Sequence, residues 1–262
     1  MGGLTARLRI VAEADGEGGT RLACLQSSPP VALRPAGGDV WMVGTAGGPL
    51  GGDRLHVHLE VGAGCELTVR SSAATVVLPG PGPEWPASDV ELEARVGPGA
   101  VLRWLPEPTV AAAGCRHRVR AGVEVAAGGR LEWREELVLG RDGESAGAVS
   151  SRLAVLVAAR PLLRQQLDLG GEPGPWEGPS VLGGARAVGG VVVVDPAWAG
   201  CPPPATVLGP GAAVLPLAGP GAQVTALAAG ALDLRALLDR GVRILRGASL
   251  VGLSTEGAGL GD

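Results

Sequence analysis

Four carboxylates are the side chains of this sequence whose positions most suggest a chemical role. Asp53 ends a turn of sequence GGPLGGD, and Glu107 stands between two prolines that restrict the backbone around it. Glu135 and Glu136 are neighbours in a strand-like segment, so one of them must face the buried side of the sheet. An interior carboxylate is costly unless it is paired, hydrated or bound to a metal ion. We predict all four as candidate sites for a cation or a partner. The alternatives are backbone capping by Asp53 and pairing of the buried glutamate with an arginine.

The histidines and cysteines are weaker candidates for binding a metal. His56 and His58 form an H-x-H pair on one face of a predicted strand, and Cys115 and His117 form a similar C-x-H pair. Solvated histidines on an exposed strand face are the alternative for the first pair. The sequence has no H-E-x-x-H motif and no phosphate-binding P-loop. These patterns predict neither a catalytic residue nor a permanently bound cofactor.

The elements that position these side chains are predicted to be β-strands. From Leu55 to Val61 apolar and polar residues alternate strictly, which indicates a strand with one buried face. A repeat of the form V-x-x-G-x-x-L is centred on Gly64, Gly99 and Gly128 and, more loosely, on Gly211. Each copy predicts a β-hairpin, and the first three copies recur about every thirty residues, as stacked coils do. The prediction is an all-β protein with a β-helical, stacked-hairpin architecture.

The end of the chain has a helical pattern instead. Between residues 226 and 250 leucines recur at spacings of three and four, which predicts one or two short C-terminal α-helices, with a break at Gly241. We expect a single domain over residues 1–262, with a β-rich body over 1–225. The sequence lacks Phe and Tyr, so its core must use Val, Leu, Ala and Trp.

Composition excludes several classes of partner. The net charge is −4 without a dense basic patch, so no nucleic acid is expected. The uncharged stretch from Pro196 to Leu232 contains too many prolines for a membrane-spanning helix, and no membrane association is expected. The first fourteen residues contain charges and no long apolar run, so no export signal is predicted. The expected location is the cytoplasm, where the four cysteines would be free thiols.

Three segments, in this order, resemble one known family. The GGD turn with its alternating strand is followed by WLPEPTV at 104–110 and by LEWREELVLGR at 131–141. Together they are similar to the UreD family of urease accessory proteins, called UreH in some bacteria. The likeness continues more weakly through 160–163 and the helical tail.

The resemblance implies a β-helical fold with C-terminal helices and a cytoplasmic, non-enzymatic role in nickel delivery. Its implied partners are a UreF-like accessory protein, a UreG-like GTPase and apo-urease, and its implied cargo is Ni²⁺ in transit through an internal tunnel. By the same resemblance, Asp53, Glu107 and Glu135 or Glu136 would line that tunnel or an interface.

Two other functions are compatible with the residues alone. One is a metal-dependent enzyme that uses His56, His58 and a carboxylate. The other is a structural β-solenoid that only binds a partner and has no link to nickel.

Overall fold

A computed structural model describes residues 3–82 and 84–256, which form two large β-sheets, two 3₁₀ turns and a C-terminal α-helix. The 3₁₀ turns are Pro175–Glu177 and Pro196–Trp198, and the helix, α1, is Ala231–Glu256. The strands are β1 (Thr5–Ala14), β2 (Thr20–Gln26), β3 (Val31–Ala36), β4 (Asp39–Gly44), β5 (Arg54–Val61), β6 (Glu66–Ser71), β7 (Thr75–Val77), β8 (Ser88–Val96), β9 (Val101–Leu105), β10 (Thr109–Ala111), β11 (Arg116–Val125), β12 (Arg130–Leu139), β13 (Ala148–Val157), β14 (Arg160–Leu169), β15 (Ala187–Val194), β16 (Thr206–Gly209), β17 (Ala212–Pro216) and β18 (Gly221–Ala228).

The two sheets are built from strands that alternate along the chain. One sheet has seven strands in the order β14-β13-β11-β8-β5-β1-β2. The other has eleven strands, nine of them in the order β16-β17-β18-β15-β12-β9-β6-β4-β3, with β10 added beside β12 and β7 beside β10. In three successive coils, β5, β8 and β11 enter the first sheet while β6, β9 and β12 enter the second, all in parallel register. The predicted all-β, β-helical fold is confirmed.

The repeated glycines form the corners of these coils. Gly64, Gly99 and Gly128 have φ of 70°, 66° and 80°, in the left-handed region that glycine adopts without steric cost. The strands on either side of each glycine do not pair with each other. β5 pairs with β1 and β8, for example, whereas β6 pairs with β4 and β9. The predicted hairpins at these three positions are therefore wrong, because the chain turns from one sheet into the other.

The fourth, looser match to the repeat is a true hairpin. β16 and β17 flank Gly211 and pair with each other antiparallel, at the edge of the eleven-stranded sheet. The uncharged stretch thus supplies edge strands of this sheet. Val207 on β16 is 81% exposed, so part of its apolar surface faces solvent.

The main core lies between the sheets and is built from the predicted residue types. Buried Val, Leu and Ala side chains surround Trp104 and Trp133, whose rings stack with centroids 5.2 Å apart. Stacked aromatic rings contribute beyond the area that they bury. This aromatic pair fixes the position of β12, on which Glu135 and Glu136 lie.

Helix α1 covers the outer side of the eleven-stranded sheet. Leu234, Leu238, Val242 and Leu245 on its buried face pack against β15 and β18. The helix runs through Gly241, where the sequence predicted a break. A Cβ at Gly241 would lie 2.4 Å from Val224 Cγ1, so glycine lets the helix approach β18 closely. Close packing against the sheet outweighs the low helix propensity of glycine.

Gly189 on β15 provides the matching close approach from the sheet side. A Cβ there would lie 2.8 Å from the Glu135 carbonyl oxygen and 3.1 Å from Leu238 Cδ1. We expect Gly189→Ala to lower the free energy of unfolding by about 1–3 kcal/mol, the usual cost of overpacking. Urea unfolding would measure it. Gly122→Ala is the matched control, because a Cβ at that strand position meets no atom within 4 Å. An equal effect of the two substitutions would contradict this account of the helix packing.

The described helix is not long and apolar enough to cross a membrane, and the same holds for every helical turn in residues 3–82 and 84–256.

Candidate functional site

A cavity of about 910 Å³ lies between the two sheets. Its wall includes residues of β1, β5, β8, β11, β13 and β14 from one sheet and of β4, β12, β15 and β18 from the other. The cavity therefore extends across the strands instead of along them. All four predicted carboxylates, Asp53, Glu107, Glu135 and Glu136, are among the lining residues, as is His117.

Glu135 faces the space between the sheets. Its Oε1 accepts a hydrogen bond from Trp133 Nε1 at 3.1 Å, and its Oε2 accepts one from Ser151 Oγ of the opposite sheet at 3.4 Å. Burial raises the pKa of the Glu135 carboxyl, and these two neutral donors offset the rise only in part. Among the described residues no basic side chain forms an ion pair with it. Glu135 is thus an interior carboxylate that lacks a compensating charge.

Glu136 points to the other side of β12, beneath α1, where its side chain is fully buried. Arg134 Nη1 lies 3.1 Å from its Oε1, and Arg235 Nε of α1 lies 3.2 Å from the same atom. Arg235 Nη1 also donates to both oxygens of Glu107, at 2.8 and 3.0 Å. Arg134 in turn pairs with Asp239, one helical turn after Arg235. We call these five residues the helix-anchoring cluster.

The surroundings of the two neighbouring glutamates distinguish the alternatives that the sequence left open, pairing with an arginine and a site for a cation. The sequence predicted that one of them faces a buried side and that its partner would be an arginine or a cation. Both sides of β12 are covered, and Glu136 is buried whereas Glu135 is half-buried at the cavity wall. Glu136 has the arginine partners, and Glu135 faces the cavity with no such partner in the part of the chain that the structure describes.

Glu107 is held in place by its backbone as well as its side chain. Its N–H donates to Ser71 Oγ at 2.8 Å, and the Ser71 hydroxyl donates to the Ala73 carbonyl at 3.1 Å. With Arg235 on its carboxylate, Glu107 connects the cavity wall to α1. Its role toward a cation or a partner stays a prediction.

Asp53 caps the backbone of its own turn and of the N-terminal strand. Its Oδ1 accepts from the Leu4 N–H at 2.8 Å, and its Oδ2 accepts from the Leu50 N–H at 2.9 Å. This is the capping role that the sequence offered as the alternative to a functional site. The contribution of Asp53 to a nickel path stays a prediction.

Cys115, just before β11, and His117, near its start, are both buried, but their surroundings differ. Burial raises the pKa of the Cys115 thiol to about 11, so it is protonated near neutral pH and is a poor metal ligand. Burial lowers the pKa of His117 to about 4, so its imidazole is neutral. His117 Nδ1 and Ser88 Oγ share a hydrogen bond at 2.8 Å. Of the two side chains, only that of His117 is part of the cavity wall.

His56 and His58 lie on the outer face of the seven-stranded sheet. His56 Nδ1 is 3.0 Å from Glu91, and His58 is 3.7 and 3.9 Å from Glu60 and Glu93. The apolar residues that alternate with them, Leu55 and Val57, line the cavity instead. The structure therefore separates this pair from the interior carboxylates. Within residues 3–82 and 84–256, no three His, Cys, Asp or Glu side chains are grouped so that they could hold a metal ion.

One segment has the spacing of a hydrolase motif without its structural context. The sequence GESAG at 143–147 matches G-x-S-x-G, whose serine requires a sharp turn from a strand into a helix. Here the segment joins β12 to β13, and Glu144 accepts hydrogen bonds from the Arg141 guanidinium and the Ala113 N–H. The loop is a structural connection between two strands.

Sequence reasoning missed several residues that the fold brings to the site. Arg235 and Asp239 occupy polar positions of a helical pattern, which by itself indicates a solvated face. Gln165 and Gln223 lie 58 positions apart yet are hydrogen bonded inside the cavity. The composition could have drawn attention to Gln223. The sequence has no Asn and few Gln, and Gln223 is the single side-chain amide in the uncharged stretch.

Comparison with known proteins identifies the family. A family model described as UreD urease accessory protein matches residues 4–256. A urease accessory protein UreD 3 of Streptomyces griseus is 50% identical, over 92% of this chain and 96% of the relative. UreD proteins of Streptomyces coelicolor and Streptomyces avermitilis are 47% and 45% identical, over 91% and 93% of this chain and 95% and 98% of the relatives. The chain belongs to the UreD family of urease accessory proteins.

Proposed function

We propose that this protein is a urease maturation factor that delivers nickel as part of a larger complex. In this proposal it acts in the cytoplasm as a scaffold and metallochaperone between a UreF-like protein, a UreG-like GTPase and apo-urease. It carries out no catalysis of its own. Ni²⁺ is its cargo and passes through the cavity between the two sheets. The observation that carries the proposal is Glu135, a carboxylate without an ion-pair partner among the described residues, in the wall of a cavity of about 910 Å³.

The chemistry of the cavity wall suits transit better than storage. Glu135, Ser151, Gln165 and Thr225 supply oxygen donors to it. Oxygen ligands hold Ni²⁺ more weakly than thiolates or imidazoles do. The Cys115 thiol stays protonated and outside the wall. His117 adds one neutral imidazole, which is too little for a closed coordination shell.

The helix-anchoring cluster has a different part in this proposal. Its charges fix α1 on the sheet and keep Glu107 and Glu136 paired with arginine, so these two carboxylates are not free to bind a cation. Among the four predicted carboxylates, this leaves Glu135 as the strongest candidate for contact with nickel. Glu107, which pairs with Arg235 of α1, is the better candidate for an interface with a partner.

The enzyme alternative gains no support from the geometry. It requires His56 and His58 to act together with a carboxylate in an enclosed site. Both histidines lie on the outer face, in contact with surface glutamates.

Complementation of a urease operon that lacks its own UreD gene tests the proposed function. We expect this chain to restore urease activity, and the UreF-like partner to co-purify with it. An empty vector is the control. The proposal is wrong if urease stays inactive at ample nickel and the UreF-like partner fails to co-purify.

A further inference from the structure

Two glutamine side chains meet across the cavity from opposite sheets. Gln223 Nε2 on β18 donates to Gln165 Oε1 on β14 at 2.6 Å. β14 is the edge strand of the seven-stranded sheet, and β18 belongs to the eleven-stranded sheet. Both side chains line the cavity, so their hydrogen bond spans the space between its walls. We call them the amide bridge.

Gly190 leaves room between the amide bridge and Glu135. In the eleven-stranded sheet Gly190 pairs with Glu135 on one side and with Thr225 on the other. A Cβ at Gly190 would lie 3.4 Å from Gln223 Nε2 and 3.2 Å from the Val224 carbonyl oxygen. Its φ is not in the left-handed region, so backbone conformation does not require glycine there. What the missing side chain provides is room for the Gln223 amide, which a Cβ at this position of the cavity wall would crowd.

The chemistry of the amide bridge differs from that of the helix-anchoring cluster. A hydrogen bond between two neutral amides contributes little net stability, because water can replace either partner. Each amide also has an oxygen that can contact a cation without holding it as a carboxylate would. A bridge of this kind can open and close again, whereas a buried ion pair between charged groups is costly to break.

We propose that the amide bridge is a gate for a hydrated divalent cation within the cavity, and that Gly190 keeps the approach from Glu135 to this gate open. This inference rests on the proposed function and names the residues that control passage. A neutral gate transmits the cation, because its oxygens bind too weakly to trap it.

Conversion of the gate into a carboxylate tests the idea. Purified Gln223→Glu protein should retain more Ni²⁺ than wild type in equilibrium dialysis, and it should activate urease about tenfold more slowly in the complementation assay. Gln166→Glu is the matched control. Gln166 adjoins Gln165 in sequence but is exposed and outside the cavity wall, so its replacement should not slow urease activation.

A second variant keeps the test decisive if Gln223→Glu folds poorly. Gly190→Leu should slow urease activation without raising nickel retention, while the UreF-like partner still co-purifies. Gly122→Leu, on an exposed strand position, is its control. Normal activation by Gly190→Leu, or equal behaviour of Gln223→Glu and Gln166→Glu, overturns the gate alone. Failure of the wild-type chain to activate urease overturns the gate and the proposed function together.

Discussion

Replacement of Arg235 by alanine should lower the free energy of unfolding by about 3 kcal/mol, the largest stability effect that we expect from a single substitution. Arg235 contacts both Glu107 and Glu136, and the Glu136 side chain has no exposed surface. Loss of the guanidinium leaves Glu136 with Arg134 alone and removes both hydrogen bonds to Glu107. Urea unfolding at neutral pH measures the change.

Two further variants separate the buried charge from the loss of helix packing. Arg243→Ala removes an exposed arginine of the same helix and should change stability by less than about 0.5 kcal/mol. Adding Glu136→Gln to Arg235→Ala removes the buried charge that has lost one of its two arginine partners, so the double variant should be more stable than Arg235→Ala. If Arg235→Ala unfolds like Arg243→Ala, the cluster does not anchor the helix.

The coil of the fold could be predicted from the sequence, but the pairing of its strands could not. Alternation in Leu55–Val61 and the recurring V-x-x-G-x-x-L pattern identify strands and turns correctly. A glycine turn between two alternating strands has the same local pattern whether the strands pair or enter different sheets. Gly64 is followed by a strand that pairs with β4 and β9, and this depends on contacts between distant parts of the chain.

For the candidate site, the sequence predicts the direction of side chains along a strand but not their contacts. Alternation shows that Glu135 and Glu136 face opposite ways, but which side faces the cavity depends on where α1 packs. The partners of the two glutamates could not be predicted from the sequence. Arg235 is 99 positions from Glu136, and Ser151, the partner of Glu135, lies on the opposite sheet. Asp53 shows the reverse case, since its glycine-rich turn indicated the capping role that the structure displays.

Glu135→Gln should make the protein more stable at neutral pH and less able to activate urease. Burial raises the pKa of Glu135 above its usual value of 4.5, so the folded state binds the proton more tightly than the unfolded state does. The contribution of Glu135 to stability is therefore fully present below pH 4.5 and is lost as the pH rises through the folded-state value. Glutamine can still accept hydrogen bonds from Trp133 or Ser151 and carries no charge at any pH. The stability gain of Glu135→Gln should therefore be smallest near pH 4.5 and grow toward neutrality.

Urease activation should move in the opposite direction, with a loss of about tenfold if Glu135 contacts the passing cation. A residue that costs stability yet supports activity is what a functional site retains. Unfolding midpoints at acid and neutral pH, together with complementation at limiting nickel, measure the two effects in one variant. Glu93→Gln is the control, since that side chain is 77% exposed on the outer face. If Glu135 does not contact the cation, urease activation by Glu135→Gln would instead follow the amount of folded protein.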